Sequence, residues 1–183
     1  MSPGHLHVIT GPMFAGKTAS LIAEIGRLRA GGTHPDILTH AIDDRRRIGD
    51  ISTHDGDALE ARAIASADDI VRAVTSDAVA IDEAQFFGQP LVPAVAQLLD
   101  TGRHVIIAGL CVTFDGRPFD PIPELMALAD RVDKLVARCD ICGAPAPYHL
   151  PVRQGLGDPL AIESGQVGGA ESYEARCRLH FGV

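Results

Sequence analysis

Apolar positions along the first part of the chain follow two alternating rhythms. Leu6-His7-Val8-Ile9-Thr10 is short and rich in β-forming side chains, and Leu21, Ile22, Ile25 and Leu28 then recur at helical spacing until Gly31-Gly32. This predicts strand, loop, helix. Ile37 to Ile42 reads as a second strand, the polar stretch from Asp43 to Asp57 as a loop, and Ala61 to Ala65 as a brief strand. Ser66 with Asp69 three residues on has the capping-box pattern, predicting a helix of about two turns through Ile70, Val71 and Val74. After a turn at Ser76-Asp77 come a buried strand, Val79 to Asp82, a helix carrying Leu91, Val95, Leu98 and Leu99, and another apolar strand, His104 to Gly109. Strands alternating with helices imply a parallel sheet covered on both faces.

Beyond Gly109 the pattern weakens. A short helix near Leu125 to Ala129 and a strand at Lys134 to Ala137 are expected, and from Cys139 onward prolines and glycines crowd a tail too poor in apolar residues to hold itself together. The expected division is therefore 1–136, an α/β domain, and 137–183, a small appended one.

Composition narrows the function. With 183 residues, 46% of them hydrophobic, the chain can build one core, which excludes global disorder. A formal net charge of −8 leaves no excess of cations to displace phosphate counterions, so nucleic acid is not an expected partner. No apolar run approaches the roughly 18 residues of a membrane helix, and the first strand leads directly into a Gly-rich motif; the expected setting is cytoplasmic, without a membrane partner.

That motif is Gly11-Pro12-Met13-Phe14-Ala15-Gly16-Lys17-Thr18, a match to G-x-x-x-x-G-K-[ST] lying between a predicted strand and a predicted helix. Glycines let backbone N–H groups turn inward around phosphate oxygens, Lys17 is placed for the β/γ-phosphates, and the Thr18 hydroxyl can ligate Mg²⁺. Only one other lysine, Lys134, occurs in the chain. Asp82-Glu83-Ala84-Gln85 closes a buried strand, so Asp82 is expected at the C-terminal sheet edge as a second Mg²⁺ ligand. Glu83 can then take a hydroxyl proton or orient a water. Cys139-x-x-Cys142 with Cys177-x-x-His180 supplies two close pairs of borderline-soft ligands, the set expected for one structural Zn²⁺ fastening both ends of the tail. A redox role for the Cys-x-x-Cys pair needs a helix start there, which Pro145 and Pro147 oppose. Cys111 is left as a small core residue.

Taken together these segments resemble the type II thymidine kinases, the zinc-containing deoxynucleoside kinases. The phosphate loop, Thr53-His54-Asp55, Asp82 to Phe87, Gly109-Leu110 with Thr113-Phe114 and Arg117-Pro118-Phe119, and Val167-Gly168-Gly169 with Tyr173 and Cys177 to His180 carry the likeness in order along nearly the whole chain. The resemblance implies a P-loop, RecA-like parallel sheet with a zinc-bearing lasso, usually tetrameric. It implies transfer of the γ-phosphoryl group of Mg-ATP to the 5′-hydroxyl of thymidine, with feedback inhibition by thymidine triphosphate. ATP would contact Gly11, Pro12, Met13, Phe14, Ala15, Gly16, Lys17 and Thr18 with Asp82, Glu83, Ala84 and Gln85, and Glu83 would be the general base. Met13, Phe86, Leu110, Phe114 and Tyr173 would line the base pocket, with backbone of Val167, Gly168 and Gly169 on the pyrimidine edge. Singly, each of these apolar residues would suit a core equally well.

Four features depart from the family pattern: Ala15 for a more usual Ser, Cys111 for Asp, His180 for a fourth Cys, and the stretch from Ala146 to Arg153. Imidazole remains a good zinc ligand. For the transferring charge, Arg45, Arg46 and Arg117 are candidates. Two other readings share some of these motifs: a nucleic-acid-dependent P-loop ATPase, through Asp82 to Gln85, and a catalytically degenerate nucleotide-binding regulator, through the phosphate loop.

Overall fold

A computed structural model describes residues 3–41, 50–52, 58–151 and 173–182. In chain order its elements are β1 (His5–Gly11), α1 (Lys17–Ala30), β2 (Asp36–His40), β3 (Asp50–Ser52), β4 (Ala58–Glu60), β5 (Arg62–Ile64), α2 (Ala67–Ala73), β6 (Ala78–Asp82), α3 (Leu91–Asp100), β7 (His104–Leu110), α4 (Ile122–Leu128), β8 (Arg131–Lys134), β9 (Ala137–Arg138), β10 (Pro145–Ala146), β11 (Tyr148–Pro151) and β12 (Tyr173–Arg176). The expectations for Arg45, Arg46, Thr53-His54-Asp55 and Val167-Gly168-Gly169 fall outside the described residues.

Six strands form one parallel sheet in the order β5-β2-β6-β7-β1-β8. Strand alternation sorts its side chains between two cores. Leu6, Val8, Val79, Ile81, Val105 and Ile107 join one cluster with Ile70 of α2, Leu91, Val95 and Leu98 of α3 and Ile122 and Leu125 of α4. Ile9, Ala80, Ile106 and Ala108 face the other way, against Leu21 and Ile25 of α1. Small Ala80 and Ala108 on that side leave room for α1 to lie close to the sheet. Being buried on both faces, β6 and β7 have no polar positions to alternate with, which is why they read as short unbroken apolar runs.

The predicted cap of α2 is present, with Ser66 Oγ accepting from the Asp69 amide at 3.3 Å and donating to Asp69 Oδ2 at 2.6 Å. Two elements lie elsewhere than expected. Strand β8 occupies Arg131–Lys134 rather than 134–137, because it is an exposed edge strand whose pairing with β1 leaves no apolar signature. Helix α4 begins at Ile122, three residues earlier than Leu125, with Pro123 at a position in its first turn where a missing amide hydrogen costs nothing.

The tail is also more ordered than its composition suggests. Strands β9 and β10 form one antiparallel ribbon and β11 and β12 another, and among the described residues the buried cluster there is Ala137, Cys139, Ala146, Ala175 and Cys177, with Ala144 packed against it. Cys111 is half-buried and packs against the larger core.

Candidate functional site

The chain leaves β1 through Gly11, whose φ of 155° and close approach to the Leu135 carbonyl, 2.6 Å from where a Cβ would stand, exclude a side chain there. Phe14 and Gly16 take positive φ, 64° and 81°, and Gly16 caps α1 with its backbone in the left-handed region. These turns wrap the loop around the N-terminus of α1, where unpaired amides and the helix dipole favour an anion. Lys17 Nζ folds back to donate to the Pro12 carbonyl at 2.7 Å, so the one ammonium of this loop lies across its mouth.

Asp82 ends β6, and β7 separates that strand from β1, so the acidic motif and the phosphate loop are not on adjacent strands. The gap is bridged by the first turn of α1. Thr18 Oγ1 donates to Asp82 Oδ2 at 3.0 Å, and the Glu83 amide donates to Asp82 Oδ1 at 2.9 Å, holding a carboxylate that is 2% exposed. Two oxygens at adjacent corners of a Mg²⁺ octahedron would be about 2.9 Å apart, so this pair suits the ion.

Glu83 has φ 53° and ψ 38°, a left-handed conformation that swings its half-buried side chain away from the strand direction. Its carboxylate accepts from Gln85 Nε2 at 2.7 Å, while Gln85 Oε1 accepts from the Leu110 amide at 3.0 Å. Gln85, expected among the ATP contacts, thus has its amide engaged between Glu83 and the end of β7. A Cβ on Gly109 would fall 2.8 Å from that Oε1, and Thr10 donates to the Gly109 carbonyl at 2.8 Å, so the three strand ends are tied together.

The residues expected around the base divide. Leu110 is buried, while Met13, Phe86 and Phe114 are half-buried, and His40 stands 6.0 Å from the Phe86 ring and edge-on to Phe87 at 4.6 Å. Burial pushes the His40 imidazole below its ordinary value. Tyr173 starts β12, and its ring lies 5.5 Å from that of His149 on β11. His149 was not singled out by its sequence context, and it joins two of the expected pocket residues: its Nδ1 accepts from the Met13 amide at 3.5 Å. Burial, with a smaller contribution from the Lys17 charge, lowers its pKa to about 4. Arg117 is exposed on its loop and pairs with Asp115 at 2.5 Å.

The four expected metal ligands converge. Cys139 Sγ lies 3.6 Å and Cys177 Sγ 3.3 Å from His180 Nδ1, Cys142 Sγ lies 3.8 Å from Cys177 Sγ, and all four donor atoms fall within 4.8 Å of one another. A zinc tetrahedron with ordinary bond lengths has edges of about 3.8 Å between sulfurs and about 3.6 Å between sulfur and nitrogen. The donor set and its spacing therefore fit Zn²⁺. Gly143, at φ 71°, allows the tight turn in which its amide donates to the Cys139 carbonyl at 2.7 Å. Burial pushes the Cys139 thiol up, but amides of Cys177, Cys142 and Ile141 and the His180 ring outweigh it and bring it to about 5, favouring the thiolate that metal needs.

A phosphate loop closed by a hydroxyl–carboxylate pair, with a second carboxylate beside it, defines a P-loop nucleotide-binding α/β protein, and its tail carries a Cys3His cluster that could hold a metal ion. The family described as thymidine kinase matches residues 4–181. A "Thymidine kinase" of Deinococcus deserti is 40% identical over 198 residues, spanning 100% of this chain and 96% of its own length. Another "Thymidine kinase", of Deinococcus radiodurans, is 40% identical over 191 residues, spanning 95% and 88%. The chain belongs to the thymidine kinase family. Among solved structures, a DNA replication initiation factor overlaps 72% of this chain and 40% of its own at a TM-score of 0.39 and 13% identity.

Proposed function

We propose that the protein transfers the γ-phosphoryl group of Mg-ATP to the 5′-hydroxyl of thymidine, giving thymidine monophosphate. Membership of the family supports the reaction, and the observation that carries it in this chain is the 3.0 Å contact of Thr18 with Asp82 beside Glu83. Lys17 and the loop amides from Phe14 to Thr18 bind the phosphates once the ammonium leaves the Pro12 carbonyl. Thr18 and Asp82 would hold Mg²⁺, which would supply neutralisation of the phosphate charge. Glu83, oriented by Gln85, takes the proton from the nucleoside hydroxyl. Alignment and charge stabilisation do most of the work, because the transition state is loose and little covalent chemistry falls to the protein.

Met13, Phe86, Leu110, Phe114 and Tyr173 form the base pocket in this reading, with backbone groups around Val167, Gly168 and Gly169 reading the pyrimidine edge. The tail from residue 137 onward acts as a separate lasso domain fastened by structural Zn²⁺ on Cys139, Cys142, Cys177 and His180, since the buried cluster among its described residues is made of small or sulfur-bearing side chains that cover little surface. Cytoplasmic location, a homotetramer and feedback inhibition by thymidine triphosphate complete the proposal on the family likeness. The described residues include no helix long and apolar enough to cross a membrane.

The direct test is incubation of the purified protein with Mg-ATP and thymidine, deoxyuridine, deoxycytidine or deoxyguanosine. Thymidine monophosphate is the expected main product. No monophosphate from any nucleoside, with ATP hydrolysed only when DNA or RNA is added, would overturn the reading.

A further inference from the structure

Phe181 follows directly on His180, whose Nδ1 stands 3.3 Å from Cys177 Sγ and 3.6 Å from Cys139 Sγ, so its backbone is tied to the Cys3His cluster. Its ring stacks on Tyr148, with centroids 4.1 Å apart and planes at 23°. Tyr148 is fixed in turn, because it opens β11 opposite Arg176 of β12 and its hydroxyl accepts from Arg178 at 2.7 Å. A ring held by its backbone and by one face keeps little freedom. The edge of that ring rests on Gly116, in the turn that follows β7. A Cβ on Gly116 would fall 2.7 Å from Phe181 Cε1 and 2.9 Å from Cζ, and its φ is 80°, so both the conformation and the close ring require glycine. The turn is closed on itself by three bonds: the Thr113 amide donates to the Arg117 carbonyl at 2.9 Å, the Gly116 amide to the Thr113 carbonyl at 3.0 Å, and the Arg117 amide to Thr113 Oγ1 at 3.1 Å. A displacement of Gly116 is therefore carried through the whole turn, Phe114 included.

We infer that Phe181 is a positioning residue for the nucleoside site: it buttresses the 113–117 turn from the tail and so sets where Phe114 stands. This rests on the reading of Phe114 as a base-pocket residue and deepens it. The contacts are contiguous, from the Cys3His cluster through His180 to the Phe181 ring, and from that ring to Gly116 and its turn. Without the ring, Gly116 would face a gap about the size of a phenyl group, and a pocket wall free to back into it loses dispersion contact with an apolar ligand. The phosphate loop is built from other backbone, between β1 and α1, so the effect falls on the nucleoside and spares ATP.

Two variants separate this role from simple packing of the tail. Phe181→Ala removes the ring, while Phe181→Leu returns apolar bulk against Gly116. Thymidine binding without ATP, and binding of a non-hydrolysable ATP analogue without nucleoside, are measured by titration calorimetry, alongside bound zinc by elemental analysis and kcat and KM with Mg-ATP. Phe181→Ala is expected to weaken thymidine about tenfold, in Kd and in KM alike, with zinc content, analogue affinity and kcat close to wild type. Phe181→Leu should recover most of that loss. A double-mutant cycle with Gly116→Ala locates the contact, since two changes at one interface should cost less together than the product of their separate losses. Losses that simply multiply would overturn the assignment, as would unchanged thymidine affinity in Phe181→Ala. So would a loss accompanied by missing zinc or by an equally weakened ATP analogue, the marks of a tail that has come loose. Thymidine binding that depends on Phe181 without phosphoryl transfer would support the assignment and remove only the kinase reading, whereas a wild-type protein that binds no nucleoside would overturn both.

Discussion

The Thr18 hydroxyl and the Asp82 carboxylate meet at 3.0 Å although the strands that lead to them are separated by β7. The contact exists because α1 leaves the phosphate loop and crosses the sheet face over β7, where Ile106 and Ala108 pack beneath Leu21 and Ile25. The small alanines of the sheet thus set how near the first turn of α1 comes to Asp82.

Asp82→Asn keeps the shape of this contact and removes its charge. Turnover is expected to fall at least about 100-fold, since a neutral amide holds Mg²⁺ poorly. Thermal stability should hold or rise, because the wild-type carboxylate is 2% exposed and carries the desolvation cost of a buried charge. Turnover followed against Mg²⁺ concentration checks this, and wild-type activity at ordinary Mg²⁺ would exclude Asp82 as a ligand.

Glu83→Gln addresses the base. The amide oxygen of the variant can still accept from Gln85 Nε2, so the left-handed turn and its side-chain direction are preserved. Thymidine affinity should stay within about twofold while kcat drops by about 10²–10⁴, the usual worth of a positioned general base. Near-normal kcat would take Glu83 out of that role.

Much of the site was legible before its geometry. The loop from Gly11 to Thr18, the acidic pair and the two Cys/His pairs that could hold a metal depend on residue types at fixed local spacing, which a sequence displays directly. The central strands were legible for a related reason, in that β6 and β7 are apolar throughout. Strand β8 was misplaced because Leu135-Val136-Ala137, the apolar run, follows the strand instead of forming it. The tail ribbons were invisible because strands of two to four residues leave no periodicity, and the Cys and His side chains that converge there lie far apart in the sequence. His149 illustrates the remaining gap: nothing in Tyr148-His149-Leu150 says that the middle residue reaches Met13, a contact between positions 136 residues apart.

Gly109→Ala probes how Glu83 is held. The new Cβ would fall 2.8 Å from Gln85 Oε1 and 2.9 Å from Ile122 Cδ1, so the Gln85 side chain must move and its bonds to Leu110 and Glu83 must loosen. Overpacking of this sort costs about 1–3 kcal/mol. The expected result is a lower melting temperature together with a kcat loss exceeding any loss of ATP affinity. An unchanged kcat in a destabilised protein would show that Gln85 does not orient Glu83.

Metal removal should act on the tail before the sheet. One equivalent of zinc is expected in the purified protein, and Cys139→Ser or strong chelation should free the β9–β10 and β11–β12 ribbons while the six-stranded sheet stays folded. Limited proteolysis with mass spectrometry reads this as new cleavage confined to residues beyond 137. Protection of the tail in metal-free protein would remove the fastening role.

His149 also predicts how acid affects the fold. Its ordinary value of 6.5 falls to about 4 in the folded protein, so between those limits the unfolded chain holds the extra proton and each step toward acid favours unfolding. The stabilisation is complete above about pH 6.5 and is lost as the pH falls toward 4, amounting to about 3 kcal/mol at most by the worth of a pKa unit. Asp36, partly buried but held below its ordinary value by the amides of Ser76 and Thr75 and by Arg62, titrates below this window. His40 and His104 are also pushed below their ordinary value, mainly by burial, so the wild-type slope alone does not isolate one ring. The difference between wild type and His149→Gln does, because glutamine has no proton to gain. Denaturant midpoints at intervals from pH 7 to 4.5 should fall more steeply for the wild type, and parallel curves would mean that His149 is not held neutral against the phosphate loop.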